Sequence, residues 1–241
     1  MNTVVMPTYN ERDNLRHALE RIREVADGSG LPLHTLVVDD NSPDGTGELA
    51  DRLAEEYPDV EVLHRAGKEG LGKAYLAGFR HALAAGADLV FEMDADLSHD
   101  ASYLPHFVRL IEQGADVVLG SRYVAGGAVE NWTLSRKVVS RGGSFYSRLV
   151  LGLPYHDLTG GFKCFRRQVL EAIDLDDIDT AGYGFQIEMT YRAHRLGFRI
   201  VELPIIFVDR KVGESKMSSG IFVEAAVNVW RLRFAGLPTR R

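Results

Sequence analysis

The chain has a single cysteine, Cys164, in 241 residues. That excludes an internal disulfide and any zinc site built on cysteines, and it fits a reducing compartment. Runs of about 20 apolar residues are missing, so no membrane-spanning helix is expected. A strand-like run begins within three residues of Met1 and leaves no room for a signal peptide. Basic residues are outnumbered, 28 Lys and Arg against 34 Asp and Glu, and the net charge of −6 disfavours bulk nucleic-acid binding. Repeats, low-complexity tracts and linkers are lacking. The eight histidines are scattered, with no metal-binding pair and no Ser-His-Asp set. Any membrane contact has to be peripheral or made through a partner.

What is present is an ordinary globular balance, 45 % apolar and 26 % charged, in a length that suits one α/β unit. Short apolar runs alternate with helical patterns. Val4–Met6 precedes a helix with Leu15, Leu19, Ile22 and Val25 at helical spacing. Leu33–Val38, Val60–His64, the run into Met93 and Asp116–Gly120 read as further strands, with helices between them. This alternation predicts a mainly parallel sheet covered on both faces, with functional loops at the carboxyl ends of the strands.

The most informative stretch is Val90-Phe91-Glu92-Met93-Asp94-Ala95-Asp96-Leu97-Ser98-His99. A strand runs into two carboxylates one residue apart. In extended geometry Asp94 and Asp96 point the same way. Hard oxygen ligands of this kind suit Mg²⁺ or Mn²⁺, which keeps waters and adds substrate phosphate oxygens. The alternative is a polar turn capping a helix near Asp100.

After Tyr123 the character changes. Asn131–His156 contains no Asp or Glu but holds Arg136, Lys137, Arg141 and Arg148 among Trp132, Leu134, Val138, Phe145 and Leu149. Such a basic amphipathic segment either lies in a membrane interface or covers the core with its basic side in water. Asp157–Phe165 reads as a glycine-rich turn, and Phe198–Val208 alternates like a strand. The charged loop Asp209–Lys216 suits phosphate capture, and Ile221–Phe234 forms a last amphipathic helix. A carboxylate pair with dispersed cations, Arg122, Arg210 and Lys216, points to a phosphorylated substrate bridged by a metal.

Two nucleotide motifs compete and fail. Gly67–Ala74 nearly matches a P-loop, but Ala74 lacks the hydroxyl that would bind Mg²⁺. Gly70-Leu71-Gly72 is followed by Tyr75 where a dinucleotide fingerprint needs its third glycine.

Taken in order, Pro7–Glu11, Val38–Thr46, Gly70–Tyr75, Asp94–His99, Gly120–Tyr123 and Thr159–Phe162 resemble a family 2 glycosyltransferase of the polyprenol-phosphate (dolichol-phosphate) mannose synthase type. The resemblance runs through nearly the whole chain. It implies a GT-A fold in a single catalytic domain over 1–241, with a nucleotide-sugar and metal half (1–125) and an acceptor half with amphipathic helices (126–241). It implies inverting transfer of mannose from GDP-mannose to a polyprenyl phosphate. By position, Pro7, Tyr9, Glu11, Val38 and Asp40 would hold the nucleoside, and Asp94, Ala95 and Asp96 the metal and diphosphate. Arg122, Arg210 and Lys216 would grip phosphates, with Arg136 beside them for the acceptor. Asp96, Arg210 and Lys216 would carry catalysis. Ser98 stands where some relatives place a glutamine as an extra metal ligand. Without membrane helices, the chain would sit peripherally on the cytoplasmic face of a membrane, alone or with a separate anchoring protein. A UDP-sugar hexosyltransferase acting on the same lipid, a family 2 enzyme with a non-lipid acceptor, and a non-catalytic nucleotide-sugar binding module are the alternatives.

Overall fold

A computed structural model describes residues 1–178, 180, 182–209 and 219–235, and the backbone alone of Tyr183 and of 219–226. The strands are β1 (Asn2–Thr8), β2 (Leu33–Asp39), β3 (Val60–His64), β4 (Leu89–Glu92), β5 (Val117–Ser121), β6 (Ala128–Glu130), β7 (Lys163–Arg166), β8 (Ile200–Pro204) and β9 (Ile206–Val208). The helices are α1 (Arg12–Ser29), α2 (Thr46–Glu56), α3 (Leu71–Ala84), α4 (Leu104–Glu112), α5 (Leu134–Leu151), α6 (Arg167–Ala172), α7 (Gly182–Arg195) and α8 (Ser219–Phe234).

Seven strands form one sheet in the order β3-β2-β1-β4-β7-β5-β8. All neighbours are parallel except β7, which pairs antiparallel with both β4 and β5. A parallel sheet has to be covered on both faces, and the alternation along β1 does this: Val4 and Met6 join the core under α1, α2 and α4, while Val5 joins the core under α3, α6 and α7. A smaller cluster packs α5 and α8 onto α7 through Leu151, Tyr191, Val229 and Leu232. Pro7 sits inside β1, past the last residue paired with β4, Val5.

Helix α3 approaches the sheet closely because Gly78 faces it. An added Cβ there would collide with Cγ1 of Val5 and lie 3.1 Å from Cγ2 of Val38. This contact brings Tyr75, one turn earlier, to the carboxyl end of β4.

Three expectations differ from the structure. The glycine-rich turn at Asp157–Phe165 runs into β7 (Lys163–Arg166), a central strand. Phe198–Val208 splits into β8 and β9, and β9 leaves the main sheet to pair with β6. The strand leading to the acidic pair stops at Glu92, so Asp94 and Asp96 lie in the loop beyond it and not on the strand.

Candidate active site

The site is assembled at the carboxyl ends of β1, β2 and β4. Two loops are locked together by side chains that single out the Pro7–Glu11 and Val38–Thr46 stretches. The buried Asp39 carboxylate accepts from the Thr8 hydroxyl (3.1 Å), the Ser42 backbone (3.1 Å) and the Ser42 hydroxyl (2.6 Å). Ser42 Oγ in turn accepts from the Asn10 backbone at 3.1 Å, and Thr46 Oγ1 from the Glu11 backbone at 3.0 Å. Asn10 and Asn41 take left-handed backbone, φ 60° and 57°, which asparagine tolerates better than most residues. Binding geometry at the strand ends is therefore built before a ligand arrives.

Pro7, Tyr9, Glu11, Asp40, Asp94, Ala95 and Asp96 line one cavity of about 270 Å³. Val38 is the exception among the residues expected to hold a nucleoside: its side chain lies in the core beneath α3, and its carbonyl receives the Thr8 hydroxyl at 3.5 Å. Burial pushes the Asp40 carboxyl above its ordinary value, against the opposing pull of its ion-pair partner Arg65. Lys68 also lines the cavity, with its Nζ 4.0 Å from the centre of the Tyr9 ring. In sequence this loop is a failed P-loop and a failed dinucleotide fingerprint, neither of which assigns Lys68 a role at the Tyr9 ring.

The acidic turn is held from three sides. Tyr75 donates its hydroxyl to Asp94 Oδ1 at 2.9 Å, and the Tyr75 ring stacks on Phe185 of α7, centroids 5.9 Å apart. The Asp94 backbone N–H donates to His99 Nδ1 at 3.1 Å, so that nitrogen carries no proton. His99 is buried, stacks on Phe162 at 4.9 Å, and burial lowers its pKa. Asp96 Oδ1 accepts from both the backbone (3.1 Å) and the hydroxyl (2.5 Å) of Ser98. Leu97, between them, has φ 63°. Asp94 and Asp96 also line a second cavity, about 480 Å³, walled on one side by α1 (His17, Glu20, Arg21 and Glu24) and on the other by Leu97, His99, Val208 and Asp209. The two carboxylates thus form a ridge between two chambers.

Among the described residues no three His, Cys, Asp or Glu side chains gather as a metal site. A pair of carboxylates facing open cavities nevertheless fits a hard divalent cation whose other ligands are water and phosphate oxygens. Ser98 spends its proton on Asp96 and so orients that carboxylate.

Arg122 and Arg136 are each held by a carboxylate. The buried Arg122 guanidinium forks onto Asp157, Nε to Oδ2 at 2.6 Å and Nη2 to Oδ1 at 2.8 Å, and reaches Thr159 at 2.9 Å. Burial alone would raise Asp157, but Arg122 outweighs it and holds the carboxyl below its ordinary value. Arg136 meets both oxygens of Asp209 at 2.8 and 2.9 Å and lies over the Trp132 ring at 4.2 Å. Arg210 and Lys216 lie outside the described residues. Beneath the ridge, Glu92 and Lys163 face each other in register across β4 and β7, both buried. Burial pushes Glu92 up to about 7 and Lys163 down to about 8, each opposed by the other's charge.

Helix α5 turns its apolar stripe outward. Leu134 (78 % exposed), Val138, Phe145 and Leu149 lie on one side of it, and Trp230 and Phe234 of α8 are exposed too. Among the described residues no helix is long and apolar enough to cross a membrane.

The family model described as glycosyl transferase family 2 matches residues 3–174. The chain belongs to that family. As a family 2 glycosyltransferase it is similar to the undecaprenyl-phosphate mannosyltransferase of Micrococcus luteus, 52 % identical over 98 % of this chain and 97 % of that one. It is also similar to the polyprenol monophosphomannose synthase of Mycolicibacterium smegmatis, 48 % identical over 95 % of this chain and 86 % of that one. Among solved structures, the Pyrobaculum calidifontis mannosyltransferase PcManGT in complex with GDP-Man and Mn²⁺ shares the fold, with a TM-score of 0.60 and 20 % identity over 97 % of this chain and 70 % of that one.

Proposed function

We propose that this glycosyltransferase moves mannose from GDP-mannose to the phosphate of a polyprenyl monophosphate, with inversion at the sugar carbon. The observation that carries the reading is the ridge: Asp94 and Asp96 border both cavities, so a donor on the Tyr9 side meets an acceptor on the Leu97 side. The two polyprenyl-phosphate mannosyltransferases similar to nearly the whole chain support mannose and the lipid phosphate. GDP as the carrier is supported by the motif resemblance and by the donor bound in PcManGT.

In this reading Tyr9, Glu11 and Asp40 hold the nucleoside, and Asp94 and Asp96 hold a divalent cation, Mg²⁺ or Mn²⁺. When bound, that ion neutralises charge building on the leaving diphosphate. An oxygen of the acceptor phosphate forms the new bond to the anomeric carbon while the bond to the diphosphate breaks and GDP departs. A phosphate monoester is largely ionised near neutral pH, with a second pKa of about 6, so no strong general base is needed. The residues' task is alignment and charge placement. Arg136, Arg210 and Lys216 steer the acceptor phosphate.

A lipid acceptor requires a surface. The exposed stripe of α5, edged by Lys137, Arg141 and Arg148, has the form of a helix that lies in an anionic membrane interface. We place the protein peripherally on the cytoplasmic face, where the free Cys164 stays reduced, alone or with an anchoring partner. Transfer of labelled mannose from GDP-mannose into organic-extractable lipid tests the reading, with UDP-glucose in parallel. Label arriving only from UDP-glucose would replace the sugar and nucleotide.

A further inference from the structure

We infer that Gly161 and Gln186 form the seat for one hydroxyl of the transferred sugar, and so help decide which sugar the donor carries. The inference rests on the function proposed above and adds to it a contact that reads the sugar.

Gln186 is a polar side chain that the fold leaves unused. It is 2 % exposed, and neither its Nε2 nor its Oε1 has a hydrogen-bond partner among the described residues. Its backbone is fixed, since the Gln186 carbonyl accepts from Lys163 Nζ at 2.7 Å. Glu92, buried beneath the ridge, is close enough for the Gln186 amide to favour its charged form, yet both Glu92 oxygens also lack a partner at bonding geometry. Buried polar groups are nearly always paired, and one that is not calls for an explanation.

Gly161 gives access to that amide. It is half-buried, and its backbone is not left-handed, so the conformation does not demand glycine. A Cβ added to it would lie 3.5 Å from Gln186 Nε2 and 3.8 Å from both Asp94 Oδ2 and His99 Cε1. These are ordinary contact distances, so a methyl group fits at Gly161 where it collides at Gly78. What the glycine preserves is a notch of that size, walled by a buried amide and by one carboxylate of the ridge.

A hydroxyl matches those walls. A primary amide offers two N–H donors and one acceptor oxygen, and an ionised carboxylate only accepts. A hydroxyl both accepts and donates, so it suits both walls. A phosphate oxygen only accepts and would face the charge of Asp94. The sugar is bonded directly to the diphosphate that the cation on Asp94 and Asp96 would hold, which brings its hydroxyls to this end of the ridge.

The test uses the full chain with Gly161→Ala, which fills the notch, and Gln186→Met, which keeps the volume and removes the amide. GDP-mannose is compared with deoxy analogues that lack one hydroxyl at a time. GDP binding with Mn²⁺, the acceptor KM and the melting temperature are measured alongside. The wild type should penalise the loss of one particular hydroxyl by about tenfold or more in kcat/KM, because a site built to bond a hydroxyl rejects the analogue without it. In Gln186→Met that penalty should vanish, with GDP-mannose falling to the level of the analogue. Gly161→Ala should lower kcat/KM for GDP-mannose by a similar factor. GDP affinity, acceptor KM and melting temperature should stay within error in both. A hydroxyl penalty unchanged in Gln186→Met would overturn the inference. So would GDP affinity falling as far as the activity, which would mark a structural support, and so would a rise in acceptor KM alone, which would give the notch to the acceptor phosphate. Failure of the wild type to move mannose from GDP-mannose to any polyprenyl phosphate would defeat the function itself, an outcome distinct from these.

Discussion

Tyr75 donates its phenolic proton to Asp94 across 2.9 Å, tying α3 to the acidic turn that follows β4. The ring is fully buried and stacked on Phe185, so the hydroxyl has one direction in which to point. Removing it as Tyr75→Phe should leave the packing in place and loosen the hold on Asp94. Outer hydrogen bonds to metal-binding carboxylates are worth about 10- to 100-fold in metal affinity. The expected outcome is a Mn²⁺ dissociation constant at least about tenfold higher, measured by titration with GDP present, and a melting temperature close to wild type.

Gly78 sets how near α3 comes to the sheet. In Gly78→Ala the new methyl meets Val5 and Val38, and because both neighbours are fully buried strand residues neither can swing away. Overpacking of this kind costs about 1–3 kcal/mol. Denaturant titration should show that loss, and the Tyr75–Asp94 contact should suffer with it, so Mn²⁺ affinity falls as well.

Asp157 is held below its ordinary pKa of 3.8 by Arg122. A depressed carboxylate stabilises the fold above its unfolded pKa, and that contribution disappears as pH falls through the folded value. The pair should therefore support the protein fully at neutral pH and begin to lose its effect as pH falls below about 4. Asp157→Asn leaves Arg122 buried without its counter-charge, a change that costs about 3–5 kcal/mol. Melting curves between pH 7 and 3 should show a large deficit for the variant at pH 7 that narrows in acid.

The outward stripe of α5 should matter to lipid and not to folding. Phe145 and Leu149 are 66 % and 72 % exposed, so Phe145→Glu with Leu149→Glu removes little core. Flotation with vesicles containing anionic lipid should fall about tenfold or more, since each substitution removes apolar insertion and adds repelling charge. The melting temperature in solution should hold.

Much of this was legible in the chain. The β1, β2 and β3 runs, the intervening helices and the Asp94–Asp96 pair all follow from local periodicity and from side chains that bond within a few residues. Ser98 on Asp96 and Ser42 on Asp39 are contacts of that local kind. What stayed hidden depends on distant partners. Strand β7 begins with Lys163, which no local pattern marks as buried; it is buried because Glu92 stands opposite in register and because Gln186 and Thr190 of α7 receive its ammonium. Arg122 lies on Asp157, 35 residues away, a partner that no local pattern names. Lys68 acquires meaning only from the Tyr9 ring beneath it. Asp94 and Asp96 were expected at the end of a strand; they lie past it, in a loop whose Asp96 is held by Ser98.

The most direct test of the ridge as a meeting point for donor and acceptor is the anomeric configuration of the lipid product. GDP-mannose, a polyprenyl phosphate and Mn²⁺ are incubated with the wild-type protein, and the mannosyl phosphate is examined by NMR. The account expects one product, with the configuration at the sugar carbon inverted relative to the donor. Retained configuration would mean that the acceptor does not attack across Asp94 and Asp96 in a single step, and mannose released only into water would mean that no lipid phosphate is seated there.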